Sequence, residues 1–262
     1  MKTVASADGT TIAYDETGIG KPLVCVPPAL ALRDVYRPLA NELASDYRVI
    51  TYDRRGRGDS TDAIKPEDVA TYRIEREIED LAAVIAVLDD TPAVLGYSSG
   101  ARLALEAAAA GVPMTKIALY EPPFRPEKSE AADPIVAKLV DHITSGHPGE
   151  AVATFQIEGV GIPAEMVEGM RGRPGWTALE AIGQTVVYDA TITAAPGISE
   201  AVRRLPQPIV AINGAETWPT LIESARYAAD MINNATLVEV PGGAFHQLEA
   251  ATTGAALRTF LA

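Results

Sequence analysis

The chain has 262 residues, of which 47% are hydrophobic and 22% charged, which is the composition of a folded globular protein rather than a disordered or fibrous one. Its 35 acidic and 22 basic residues leave a formal net charge of −13, which repels phosphate backbones and anionic lipid surfaces. A single cysteine, Cys25, excludes an internal disulfide and a Cys/His zinc site. Since the first residues lack an apolar signal segment and no apolar run approaches the ~20 residues of a membrane helix, we expect a cytoplasmic protein that binds neither nucleic acid nor membrane.

Segments typical of strands and helices alternate along the first 120 residues. A hairpin is predicted around Asp8-Gly9, with short strands on either side. Further strands are predicted at 23–26, 48–52, 93–95 and 116–120, and helices at 35–43, at 74–88 and from the residues after 98 to 111. Alternation of this kind predicts a parallel sheet that is covered on both faces.

The alternation is interrupted between residues 124 and 205, a stretch too long to be a simple loop. Helical periodicity appears at Ile135, Leu139 and Ile143 and again over 166–182, so we interpret 124–205 as a helical cap. Strands then return at 208–212 and 236–240, each followed by a helix. The predicted organisation is a core of residues 1–123 and 206–262 with the cap inserted between its two parts.

A nucleophile motif follows the predicted strand at 93–95. The residues Gly96-Tyr97-Ser98-Ser99-Gly100 match G-x-S-x-G between a strand and a helix. Such a turn holds the serine at positive φ, and its two glycines allow the strand and helix to approach closely. We expect the Ser98 hydroxyl at the carboxyl edge of the sheet and the Ser99 N–H facing a developing oxyanion.

On these residues the chain resembles the α/β-hydrolase family over nearly its whole length. The resemblance rests on the paired N-terminal strands, the run at 52–60, the nucleophile turn, the interruption after the sixth strand and a late histidine. The chain is most similar to capped, esterase-like members in which the sixth strand ends as Tyr120-Glu121-Pro122-Pro123-Phe124. The resemblance implies an α/β-hydrolase fold, a mostly parallel twisted sheet with helices on both faces and a helical cap after the sixth strand. It implies no cofactor and no metal, and the arginines of the 52–60 run are interpreted as part of a structural turn.

The family order of serine, acid and histidine implies His246, after the last strand, as the base. The other two histidines, His142 and His147, fall in the predicted cap and are interpreted as a solvated helix end. Two glutamates are candidates for the acid that orients His246. Glu121 is preferred because related hydrolases place the acid at the end of the sixth strand, and Glu216, near the usual position after the seventh strand, is the alternative.

The largest departure from the family follows the third strand. There the usual His-Gly pair is replaced by Pro27-Pro28. Because proline has no N–H, the resemblance implies Ala29, the position after that pair, as the second oxyanion donor beside Ser99.

The resemblance implies a carboxylesterase-like serine hydrolase that cleaves a small to medium, largely apolar ester, lactone or thioester through an acyl-enzyme on Ser98. An apolar substrate pocket is expected from seven side chains, namely Tyr97, Phe124, Phe155, Met166, Met170, Trp176 and Trp218. The first alternative is a non-hydrolytic cyclase, lyase or acyltransferase of secondary metabolism, for which Pro27-Pro28 is the hint. The second is a ligand-binding receptor that retains the triad.

Overall fold

The computed structural model describes residues 1–124, 134–194 and 197–262, and within them eight strands form one sheet in the order β1-β2-β4-β3-β5-β6-β7-β8. The first strand pairs antiparallel with the second and the second antiparallel with the fourth, while all other pairs are parallel. This is the mostly parallel sheet that the alternation predicts. The strands are β1 (Lys2–Ala5), β2 (Thr11–Thr17), β3 (Lys21–Val26), β4 (Tyr47–Tyr52), β5 (Ala93–Tyr97), β6 (Ile117–Tyr120), β7 (Ile209–Gly214) and β8 (Ala235–Val240).

Helices cover both faces of the sheet. Successive side chains of a strand point to opposite faces, so in β3 Val24 packs in one core cluster, with the second, third and tenth helices, while Cys25 packs in the other, with the first and last helices. In chain order the helices within the described ranges are α1 (Arg37–Leu43), α2 (Glu75–Ala86), α3 (Ser99–Ala109), α4 (Pro134–Thr144), α5 (Pro148–Thr154), α6 (Ala164–Arg171), α7 (Pro174–Ala181), α8 (Thr185–Ala194), α9 (Glu200–Arg203), α10 (Pro219–Met231) and α11 (Ala250–Leu261). None of these helices has the length and apolar character needed to cross a bilayer.

The connection between β6 and β7 is helical over the residues described in it. It contains α4 to α9 and one π-helix (Phe155–Val160), and we refer to residues 134–205 as the helical segment. Most of its buried side chains form a cluster of their own, which also includes Val69 and Tyr72 from the connection before α2. Its last part, from Ile192 to Leu205, contributes instead to the core cluster that contains Val24. The segment is therefore packed against the rest of the chain through a shared apolar surface.

Two local features of the helical segment go beyond what the periodicity predicts. The periodicity over 166–182 corresponds to two helices, α6 and α7, because Gly172 ends the first and Pro174 occupies the first turn of the second. Helix α8 has no amphipathic stripe in the sequence, since it is buried on nearly all sides, from Thr185 to Ala190 and again at Ile192.

Candidate active site

Ser98 occupies the sharp turn between β5 and α3. Its backbone has φ 54° and ψ −122°, a conformation that residues with a side chain rarely adopt. The turn is possible because of the glycines on either side. A Cβ on Gly96 would lie 2.4 Å from the Ala101 Cα, and one on Gly100 would lie 2.3 Å from the Val26 oxygen. The half-buried Ser98 is thereby presented to a cavity at the carboxyl ends of the strands.

His246 lies on the loop after β8, in a short 3-10 helix (Ala244–His246). Both Phe245 and His246 have positive φ, at 54° and 62°, so the loop is held in a strained conformation. Two tyrosines of adjacent parallel strands restrain it. The Tyr97 hydroxyl donates to the His246 carbonyl oxygen, and the Tyr120 hydroxyl donates to the Gln247 carbonyl oxygen at 2.8 Å.

The carboxylate next to His246 belongs to Glu121, which follows β6 and is fully buried. Its Oε2 is hydrogen-bonded to His246 Nδ1. The same carboxylate accepts from the Gly214 amide at 3.0 Å and from the Thr217 hydroxyl at 3.1 Å. Glu216 is exposed on the surface, and in the described part of the chain its carboxylate makes no hydrogen bond to His246. The structure therefore brings Glu121, and not Glu216, to the histidine.

The imidazole of His246 lies between two aromatic rings. Trp218 stacks on it with ring centroids 6.1 Å apart, and Tyr97 meets it edge-on at 5.1 Å. Ser98 and His246 line the same cavity, although the serine hydroxyl makes no hydrogen bond to the imidazole among the residues described. A long serine–histidine contact is common in hydrolases without substrate, because the bond tightens when the reacting group is present.

The backbone amides of Ala29 and Ser99 are available to an anion at this cavity. Both residues line it, and neither amide has a hydrogen-bond partner in the described ranges. The Ser99 amide is the first of α3, where the helix dipole favours negative charge. Ala29 follows the two prolines after β3.

A buried ionic cluster lies directly behind these amides. Asp189 of α8 is fully buried and accepts from the Ser99 hydroxyl at 2.7 Å, from Arg54 at 2.7 Å and from Arg57 at 2.5 Å. Burial alone would raise the pKa of Asp189, but the two guanidinium groups outweigh it and lower that pKa below its ordinary value. Asp189 is therefore a carboxylate shared by two buried cations.

The same arginines fix the backbone that carries Ala29. Arg57 donates to the Pro28 carbonyl oxygen at 2.7 Å, and Arg54 donates to that of Pro27 at 3.3 Å. Arg54 also forms a two-pronged pair with Glu77, at 2.5 and 2.8 Å. Within 52–60, these two arginines thus bind protein groups and support the neighbouring loop, although the buried Nε of Arg57 has no partner among the described residues.

The cavity has a volume of about 310 Å³, at the small end of the range for ligand sites. Three of the seven expected pocket residues line it, namely Tyr97, Phe155 and Trp218. The remaining lining residues are Pro28, Ala29, Leu30, Ser98, Ser99, Pro123, Gln156, Gly159, Val160, Ile162, Thr193, Phe245 and His246.

The other four expected pocket residues lie elsewhere. Phe124 is buried against the Arg102 guanidinium, beside α3. Trp176 is buried in the core of the helical segment, where Met170 packs beside it, and Met166 is 57% exposed on α6. Phe124 is thus taken up by the core beside the sheet, whereas α6 and α7 turn the other three side chains into the core of the segment or into solvent rather than toward Ser98.

Three residues of the site region were not anticipated from the sequence. Asp189 and Gln156 belong to the helical segment, where no motif marks them. Thr217 comes three residues after the end of β7, and its proximity to the candidate Glu216 was the available signal.

Comparison with known proteins is consistent with this geometry. Residues 23–256 match the alpha/beta hydrolase family. A solved alpha/beta hydrolase from Sphaerobacter thermophilus is 37% identical, with 100% of each chain covered and a TM-score of 0.87. The esterase RhEst1 from Rhodococcus sp. is 24% identical over 99% of this chain and 98% of its own, with a TM-score of 0.69, a likeness of fold.

Curated relatives are matched over a shorter stretch. The uncharacterized hydrolase YraK of Bacillus subtilis is 35% identical over 99 residues, which make up 37% of this chain and 35% of that protein. The chain thus matches about a third of the length of these relatives. The family match and the full-length structural relative are far more extensive, and they show that the chain belongs to the alpha/beta hydrolase family.

Proposed function

We propose that the protein is a serine hydrolase that cleaves small to medium, largely apolar esters, lactones or thioesters through an acyl-enzyme on Ser98. The observation that carries the proposal is the shared cavity of Ser98 and His246, with the buried Glu121 carboxylate on the far nitrogen of the imidazole. The names of solved relatives, which include esterases, support an ester-type bond.

The arrangement assigns each group a role. Glu121 accepts the Nδ1 proton of His246, so the other ring nitrogen keeps its lone pair and can accept the proton of the Ser98 hydroxyl. His246 takes the hydroxyl proton while the serine oxygen bonds to the acyl carbon, and the resulting imidazolium returns that proton to the leaving alcohol or thiol. Water then attacks the acyl-enzyme with His246 again as the base, and the acid is released.

The negative oxygen of each tetrahedral intermediate would be bound by the amides of Ala29 and Ser99. Replacement of His-Gly by Pro27-Pro28 removes no donor from this pair, because both amides belong to other residues. The arginine bonds to the two proline carbonyls support the peptide that carries the Ala29 amide. Each such donor contributes about 3 kcal/mol to stabilising the transition state.

The substrate class follows from the cavity and the charge of the chain. The volume of about 310 Å³ accommodates a short acyl chain, and Phe155, Val160 and Ile162 supply apolar walls. In this proposal residues 124–205 act as the cap that covers the site. The net charge of −13 gives no attraction for anionic substrates such as coenzyme A esters.

The proposal is tested by labelling with a fluorophosphonate, which reacts rapidly only with an activated serine. Intact mass and peptide mapping should show one adduct on Ser98 in the parent. The adduct should be absent in Ser98→Ala and formed at least a hundredfold more slowly in His246→Ala. His142→Ala is the matched control, because the His142 imidazole is hydrogen-bonded to the Thr154 hydroxyl and does not line the cavity, and it should be labelled like the parent.

An adduct on Ser98 together with turnover of p-nitrophenyl butanoate would establish the serine mechanism. An adduct without hydrolysis would favour a cyclase, lyase or acyltransferase. Absence of any adduct in folded protein would overturn the proposal in favour of a ligand-binding role.

A further inference from the structure

Gln156 is a polar side chain in the wall of the active-site cavity, and it has no hydrogen-bond partner among the described residues. It lies on the π-helix (Phe155–Val160) and is only 8% exposed. Its Oε1 is fully buried without a hydrogen bond, and its Nε2 makes none to any described residue. Burying an amide in this way costs free energy, so proteins seldom leave such a group unpaired outside a functional site.

The neighbouring polar groups of the wall behave differently. The hydroxyls of Tyr97 and Ser99 donate to the His246 carbonyl oxygen and to Asp189, respectively. The Thr193 hydroxyl donates to the carbonyl oxygen of Asp189, one turn earlier in α8. These hydroxyls are paired within the protein, whereas the Gln156 amide has no hydrogen-bond partner among the described residues.

The backbone that carries Gln156 is an unusual π-helix. A π-helix departs from the regular α-helical ladder, and such departures recur at functional sites because they redirect a side chain. The Gln156 carbonyl oxygen accepts from both Gly161 and Ile162, at 3.1 and 2.9 Å, which anchors the end of the turn. The side chain of Gln156 is therefore held at the cavity by fixed backbone.

We propose that Gln156 selects substrates that carry a neutral hydrogen-bonding substituent, a hydroxyl or an amide, on the part bound beneath the π-helix. This inference rests on the proposed ester hydrolysis and narrows its substrate class. A glutamine amide both donates and accepts, and rotation of its last torsion can turn either atom to a ligand. A hydroxyl or an amide satisfies both capacities, whereas a purely hydrocarbon chain leaves them unpaired.

The test uses p-nitrophenyl butanoate beside matched esters, namely both enantiomers of the 2-hydroxy- and 3-hydroxybutanoates and the 3-acetamidopropanoate. We expect the parent to hydrolyse at least one substituted ester with a kcat/KM roughly tenfold above that of the butanoate. In Gln156→Met this preference should disappear, so that the ratio of the two kcat/KM values, substituted ester over butanoate, falls to about one. Gln156→Leu is the second variant, in case one of them does not fold.

Gln207→Met is the matched control, because Gln207 also has a buried Oε1 without a partner in the described part of the chain but does not line the cavity. Its ester preference should equal that of the parent. A parent with no preference for any substituted ester, or a preference that survives in Gln156→Met, would overturn the inference and leave ester hydrolysis intact.

Failure of the proposed function would be recognised separately, as a folded parent whose Ser98 does not react with fluorophosphonate. In that case the binding of the same esters, measured by calorimetry, tests the role of Gln156. Binding that depends on the substituent and is lost in Gln156→Met supports it, and binding indifferent to the substituent, or no binding, overturns it.

Discussion

The Asp189 carboxylate of α8 accepts a hydrogen bond of 2.7 Å from the hydroxyl of Ser99, the residue next to Ser98. A residue of the helical segment thus reaches behind the nucleophile turn and contacts the first residue of α3. Because Arg54 and Arg57 bind the same carboxylate and also the carbonyls of Pro27 and Pro28, both amides assigned to the oxyanion are supported by one cluster.

Replacing Asp189 by asparagine should destabilise the fold strongly. The change leaves two guanidinium groups buried without their shared anion, which costs about 3–5 kcal/mol of unfolding free energy. Urea denaturation at neutral pH measures it, with the exposed Asp141→Asn of α4 as the control from the same segment. A loss below about 1 kcal/mol would show that the cluster contributes little, as exposed pairs do.

Glu121→Gln should lower kcat for ester hydrolysis roughly a thousandfold or more. The protonated form of His246 loses the carboxylate that stabilises it, and the neutral form is no longer held in the required tautomer. Glu216→Gln, at a surface site, should change kcat less than twofold. Steady-state kinetics on p-nitrophenyl butanoate compares the two variants. The opposite ranking would assign the acid to Glu216.

Tyr97→Phe should reduce kcat about tenfold, since the strained loop that carries His246 loses the hydroxyl that binds its carbonyl oxygen. Tyr52→Phe is a suitable control. Tyr52 is equally buried, but its hydroxyl has no partner in the described ranges, so kcat should not change. Equal kcat in the parent and Tyr97→Phe would mean that packing alone positions the loop.

Asp8 should contribute stability that depends on pH. Burial acts to raise its pKa, but hydrogen bonds from Arg55 and the Thr10 amide outweigh burial and lower the pKa from 3.8 to about 2. The ionised form therefore stabilises the folded state above about pH 4, and this contribution is lost as the pH falls toward about 2.

Asp8→Asn should accordingly lower the unfolding free energy at pH 7 by about 1–2 kcal/mol, with the difference from the parent shrinking between about pH 4 and pH 2. Urea midpoints across this range measure it. Asp34→Asn, at an exposed position, is the control. A difference that stays constant with pH would contradict the assignment.

Much of the sheet could be predicted because its strands carry local signals. The buried parallel strands are continuous apolar runs, and Gly96 and Gly100 are required by contacts of 2.4 and 2.3 Å that any side chain would violate. The positions of Ser98 and His246 follow from the same order of elements. Whether these groups carry out catalysis stays a prediction until the labelling experiment is done.

The buried ionic cluster and the lining of the pocket could not be predicted, because they depend on contacts between residues far apart in the chain. Asp189 is separated from Arg54 by 135 positions, and a lone aspartate in a helix that is buried on nearly all sides has no local pattern to identify it. The apolar side chains of α6 and α7 have helical spacing, but spacing does not say whether a face meets the cavity or the core of the segment. Met166, Met170 and Trp176 were expected at the pocket for that reason.

The charge cluster around Asp189 also affects how the protein unfolds. A cap attached only by apolar packing could move away from the sheet or unfold before it. Separation of α8 from the sheet, however, would leave the buried Arg54 and Arg57 without the Asp189 carboxylate. The helical segment and the sheet should then form one cooperative unit, with coincident thermal transitions in tryptophan fluorescence and far-ultraviolet circular dichroism. Substrates would accordingly enter through fluctuations of the rim near Val160 and the 73% exposed Phe245, with α8 staying in place.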